Sequence, residues 1–191
     1  MIFASNNKNK ISQVKQFLHP IEIKGLLEAG IEIDVDEDQP TFAKNAAKKA
    51  LEIYNLTHEE VIADDSGLCI NAFDGWPGVL THRFLGENAN EHDRNNYIID
   101  KIKSLEPSER GCTIECAIAY VDKNGKLEIF EGKFNGYIAT KELGDNYFGF
   151  DSIVYIDEEQ TTTIAMLSDE EKLKINARSL ALNNLKSFLN L

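Results

Sequence analysis

Residues 61–79, VIADDSGLCINAFDGWPGV, constrain this chain more than any other stretch, because an apolar run delivers two adjacent carboxylates, Asp64 and Asp65, toward a core. Val61, Ile62 and Ala63 precede them. Ser66 and Gly67 follow, and Leu68, Cys69 and Ile70 resume the apolar pattern before a turn at Asp74, Gly75, Trp76, Pro77 and Gly78. Neighbouring aspartates repel each other and lose hydration as they are buried, so they require a cation, dense hydrogen bonding or a raised pKa. Two readings stand on these residues alone. The run is a buried strand ending in a divalent-metal site beside a small-residue turn that a phosphate can approach, or it is an Asp-Ser-Gly turn whose carboxylates cap backbone amides.

Composition narrows the classes around that stretch. A chain of 191 residues is long enough for a substantial core and predicts a single domain over residues 1–191. No apolar run approaches the roughly 18 residues a spanning helix needs, and the start MIFASNNKNK lacks the order of a secretory signal, so no membrane and a cytoplasmic location are predicted. The net charge of -12 argues against nucleic acid as a partner while leaving room for a small anion held by a few lysines and a metal. Cys69, Cys112 and Cys116 have no CxxC spacing and read as buried small hydrophobes. His19, His58, His82 and His92 have neither HxxxH nor HExxH spacing, and there is no GxSxG elbow, P-loop or GxGxxG.

In chain order, residues 1–4 read as a buried strand broken by the polar loop Ser5-Asn6-Asn7-Lys8-Asn9-Lys10. A helix with Ile11, Val14, Phe17 and Leu18 inward follows, and a lysine-bearing loop at a helix start is either an anion site or a solvated turn. Alternation predicts strands over 21–27 and 31–35, then an acidic loop containing Glu37, then a helix opening at Thr41. Further on, the pattern predicts a helix over 90–105 and a long strand through Cys112 to Tyr120. A hairpin turn follows at Asp122-Lys123-Asn124-Gly125, with a return strand over 127–130 and another over 134–139. The loop 143–152 carries two glycines and the aromatics Tyr147, Phe148 and Phe150, which read either as a base-stacking surface or as core plugs; a strand over 153–156 follows. Ser168 and Glu171 form a capping box that opens the final helix.

Taken together, these segments resemble the inosine triphosphate pyrophosphatase family, which hydrolyses non-standard purine nucleoside triphosphates to monophosphate and pyrophosphate. Ser5 to Lys10 is similar to the family's T-x-N-x-x-K loop. Glu37 with Thr41-Phe42 and Asn45-Ala46 resembles E-T-G-x-T-F-x-E-N-A, Phe148-Gly149-Phe150-Asp151 resembles F-G-Y-D, and Ser168 to Lys172 resembles S-x-E-E-K. The strongest match is Ala63 to Leu68 with Gly75, Pro77-Gly78-Val79 and Arg83.

The resemblance implies an α/β fold: a long mixed β-sheet flanked by helices, in two lobes with an active-site cleft between them. It implies Mg2+ held by Glu37 and Asp65, Asp64 and Asp65 as catalytic carboxylates, and a nucleoside triphosphate substrate bound by a homodimer. Ser5, Asn7, Lys10, Ser66 and Lys172 are implied phosphate contacts, and Phe148, Gly149, Asp151 and Arg178 contacts to base and sugar. Two positions depart from the family: Asn176-Ala177-Arg178 stands where Ser-His-Arg reads the purine's six-position oxygen, and Ser152 stands in place of the usual Pro. The departures point to a changed or relaxed base specificity as the alternative, with a non-catalytic nucleotide-binding protein as the alternative of another class.

Overall fold

A computed structural model of the chain describes residues 1–86, 88–145 and 148–191; Glu87, and Asn146 and Tyr147 of the aromatic loop, lie outside the described residues. The fold is α/β, as expected. Six strands form one mixed sheet in the order β2-β1-β3-β4-β5-β6: β1 (Ile2–Phe3), β2 (Lys24–Gly25), β3 (Val61–Ile70), β4 (Gly111–Val121), β5 (Leu127–Ile138) and β6 (Val154–Tyr155). β1 pairs in parallel with both β2 and β3, and β5 with β6 is antiparallel. The helices are α1 (Lys8–Phe17), α2 (Phe42–Thr57), α3 (Glu91–Ile102), α4 (Asp169–Ile175) and α5 (Ala177–Phe188).

The chain divides into two compact units. Unit 1 comprises Met1–Ser66, Cys116–Gly132 and Ala177–Leu191; unit 2 comprises Gly67–Glu115 and Lys133–Asn176. In unit 1, Phe3, Val14, Leu18, Ala50, Ile53 and Ile62 are buried in the core. Asn7 caps α1 by accepting from the Asn9 and Lys10 amides, and Thr41 caps α2 by accepting from the Lys44 amide. Gly132 is required where β5 meets α5, because a Cβ there would lie 2.1 Å from the Ala177 carbonyl oxygen. In unit 2, Leu68, Ile70, Ile98, Ile102, Ile138 and Ile153 form the heart of a separate cluster.

Several local expectations change. The aspartates sit at no turn: β3 runs unbroken through Asp64, Asp65, Ser66 and Gly67. The strands expected over 21–27 and 31–35 reduce to Lys24–Gly25, since β1 offers only two residues for pairing and the chain then turns, with the Ile31 amide donating to the Leu26 carbonyl. β5 is continuous where two strands were expected. The strand over 153–156 shortens to β6 behind a 3-10 turn at Asp151–Ile153. The final helix is broken at Asn176, whose backbone is extended at ψ 128°, and the break coincides with the boundary between the units.

Candidate active site

Consecutive residues of a strand point to opposite faces, and that periodicity separates the two aspartates. Asp64 meets α1 and α5. Its carboxylate accepts from Lys10 Nζ at 3.0 Å and from Arg178 Nε at 2.9 Å. Ser66, two residues on and so on the same face, accepts from Arg178 Nη2 at 3.2 Å, while Arg178 Nη1 donates to Gln13 Oε1 at 3.2 Å. Asp65 meets α2: Asn45 Nδ2 donates to its Oδ2 at 2.8 Å, and the Ser66 amide donates to its Oδ1 at 2.9 Å. One turn along α2 from Asn45, Lys49 Nζ pairs with Glu37 Oε1 at 2.6 Å.

These surroundings drive the neighbouring carboxyls in opposite directions. Burial raises Asp64, but Lys10, Arg178 and Lys49 outweigh it and hold the group well below the usual carboxylate range. Burial raises Asp65 as well, with Lys49 opposing and Glu37 and Asp64 adding to the rise, and this group is pushed up to about 6. Lys49 is raised: burial opposes its charge, and Asp64, Asp65 and Glu37 overcome that. Unit 1 therefore holds a permanently ionised aspartate beside one that exchanges a proton near neutral pH, a division of labour typical of acid–base sites.

A sign follows for metal-free stability. The Asp65 group goes from 3.8 to about 6 on folding, so its stabilisation is complete below pH 3.8 and is lost as pH rises through about 6. Urea unfolding in a chelator is expected to report a loss of about 3 kcal/mol from this group between about pH 3 and pH 7. Asp65→Asn is expected to remove that slope.

Unit 2 collects a second set of the expected residues. Asp151 Oδ2 pairs with Lys172 Nζ at 3.0 Å; Lys172 is on α4, whose capping box of Ser168 and Glu171 forms as the sequence predicts. Burial raises the Asp151 carboxyl against the opposing effects of Lys172 and the Phe148 amide, and Glu91 adds to the rise. Phe148 is exposed, and Gly149 adopts φ 64°, which favours glycine.

Within unit 1 the structure thus brings together Lys10, Glu37, Asp64, Asp65, Ser66 and Arg178, and within unit 2 Phe148, Gly149, Asp151 and Lys172. Ser5 accepts from the Asn7 amide at 3.2 Å, so both residues sit at the head of α1, where Asn7 is occupied as its cap. Arg178, expected on the base, has its guanidinium on Asp64, and Ala177 beside it is buried. Sequence reasoning missed Lys49 and Gln13, and gave Asn45 no role. The available signal was the i, i+4 placement of Asn45 and Lys49 beside the apolar Ala46, Ala50 and Ile53.

Among the described residues no group of three or more His, Cys, Asp or Glu is arranged to hold a metal ion. The donor set nevertheless suits Mg2+. That ion takes one or two carboxylates together with water and substrate phosphate oxygens, and Asp65 with Glu37 would offer it two hard oxygen ligands, where burial first and then Glu37 and Asp64 raise the Asp65 pKa against Lys49.

The Ham1 family model matches residues 1–188. The dITP/XTP pyrophosphatase of Clostridium perfringens is 38% identical over 196 residues, covering 98% of this chain and 96% of that protein. The dITP/XTP pyrophosphatase of Bacillus subtilis is 34% identical, covering 98% and 96%. Among solved structures, the Staphylococcus aureus Ham1 protein superposes with a TM-score of 0.90 at 33% identity, over 99% of this chain and 97% of that one. A HAM1 protein from Coxiella burnetii gives a TM-score of 0.89, also at 33% identity. With the family model matched over residues 1–188 and the backbone over 99% of the chain, this chain belongs to the Ham1 family.

Proposed function

We propose that this protein hydrolyses non-standard purine nucleoside triphosphates, the inosine and xanthosine forms and their deoxy counterparts, to nucleoside monophosphate and pyrophosphate. The observation that carries the reading is the opposite displacement of Asp64 and Asp65 on consecutive residues of β3. A carboxylate poised near 6 suits a general base working at neutral pH. The names of the relatives, dITP/XTP pyrophosphatases, support the substrate class.

In this reading Asp65, oriented by Asn45 and the Ser66 amide, takes the proton of the attacking water as a phosphoanhydride bond breaks. Asp64 stays ionised and anchors Lys10, which with Lys172 offsets triphosphate charge; Ser5, Asn7 and Ser66 are the proposed neutral contacts. Phe148, Gly149 and Asp151 are proposed contacts to the nucleoside. Glu37 and Asp65 would hold Mg2+, with Asp64 in support. Bound there, the ion would polarise the phosphorus centre and screen phosphate charge. We also propose a homodimer, on the resemblance alone, and a cytoplasmic location, on the sequence pattern of the N-terminal stretch. The buried Ala177, unable to donate to a base oxygen, favours relaxed base selectivity as a second reading.

Pyrophosphate release from a panel of nucleoside triphosphates tests the proposal. Turnover of ITP, dITP and XTP well above ATP and GTP, dependent on added Mg2+, is expected. Equal rates on inosine and adenine nucleotides would support the relaxed reading. Saturable binding with no turnover of any nucleotide would remove the enzymatic assignment.

A further inference from the structure

The loop at Phe148 to Ser152 is held from one side by the first turns of α3. Glu91 Oε2 accepts the Gly149 amide at 3.0 Å, and Asn95, one turn later, donates through Nδ2 to the Gly149 carbonyl at 3.2 Å. Both backbone groups of a single left-handed glycine are thus tied to side chains at i and i+4 of one helix. The tie is reinforced beneath the loop. Asn95 Nδ2 also donates to Glu142 Oε1 at 2.8 Å and lies 3.2 Å from Ser152 Oγ, which itself donates to Glu142 Oε1 at 3.2 Å. Glu142 is capped from outside by His92 Nδ1.

Two features separate this arrangement from ordinary packing. Asn95 and Ser152 are buried, yet Asn95 Oδ1 has no partner among the described residues, a cost that an apolar side chain of similar size would avoid. The orientation of that amide is fixed, since its NH2 group faces three oxygen atoms. The clamp also grips the residue between Phe148 and the Asp151–Lys172 pair, so its grip sets where those side chains stand.

We propose that Glu91 and Asn95 are positioning residues, clamping Gly149 so that Phe148 and Asp151 are preset to receive the nucleoside; the inference rests on the proposed function. A loop already ordered before binding spares the ligand the cost of ordering it, so the clamp acts on substrate affinity and not on bond cleavage.

Glu91 is the residue to change, because it is partly exposed and its loss leaves the core intact. In Glu91→Ala the Gly149 amide is expected to exchange with solvent at least about tenfold faster by NMR, and KM for ITP to rise about fivefold to tenfold with kcat within twofold. Glu91→Gln keeps an acceptor oxygen and is expected to restore both. Inhibition by inorganic pyrophosphate, which lacks a nucleoside, is expected to be unchanged in all three proteins; weakened inhibition would mark general damage and overturn the assignment. An unaltered Gly149 exchange rate in Glu91→Ala would show that there is no clamp. Fast exchange with an unchanged KM would show that the clamp positions nothing. Should the wild-type protein turn over no nucleotide, the proposed function falls, and amide exchange with ITP binding would still decide the clamp.

Discussion

Asp65→Asn is expected to lower kcat by about a thousandfold at saturating Mg2+ and substrate, within the range ascribed to a lost general base. The substitution is nearly isosteric, but a neutral amide cannot take the proton of water, and it is a poorer ligand for a hard cation. Its effect on stability is expected to be small, because two terms oppose. Relief of a buried charge whose pKa stands near 6 favours the variant. Against that, Asn45 Nδ2 and the Ser66 amide both donate to the carboxylate, and an asparagine offers one oxygen to those two donors. Steady-state kinetics and a thermal melt on the same preparation separate loss of chemistry from loss of fold. Near-normal turnover with Mg2+ present would take Asp65 out of the mechanism.

Arg178→Met is expected to destabilise the protein by about 3 to 5 kcal/mol in urea unfolding, because it removes one partner of a buried ion pair and leaves the other in place. Arg178 is buried on Asp64, and its remaining nitrogens reach Gln13 and Ser66. Lys10 stays on Asp64, so the carboxylate is not stranded entirely. Arg178→Lys is expected to recover part of the loss, since lysine keeps the charge but not the planar fork. The outcome also separates two roles for this residue. Unchanged stability with altered selectivity between inosine and adenine nucleotides would mean that Arg178 serves the base, as the resemblance implies. A large loss of stability with unaltered selectivity would mean that it serves Asp64.

Against these expectations, the legibility of the sequence divides by range. Features carried by a few consecutive residues could be read directly. The Ser168–Glu171 capping box, the helix start at Thr41 and the hairpin turn after β4 all form as the pattern predicts, since each needs only side chains and amides within one turn. The family motifs were legible for the same reason. Where partners lay elsewhere, local pattern failed. Alternation over 21–27 could not reveal that β1 has only Ile2 and Phe3 to offer, and helical periodicity ran straight through the break at Asn176.

By itself, the sequence determined that an apolar run delivers Asp64 and Asp65 together toward a core, with strand and turn both open; the structure put them within β3, where backbone periodicity turns them to opposite faces. Only the tertiary structure decided what each carboxylate meets. It brought Arg178, 114 residues away in the chain, onto Asp64, and Asn45 onto Asp65, with Glu37 and Lys49 close enough to shift its acidity. Which of two buried acids is ionised depends on charges within a few ångströms in space. No local pattern encodes that distance, so the separation of a carboxyl held low from one pushed up came from the packing of helices against the two faces of β3.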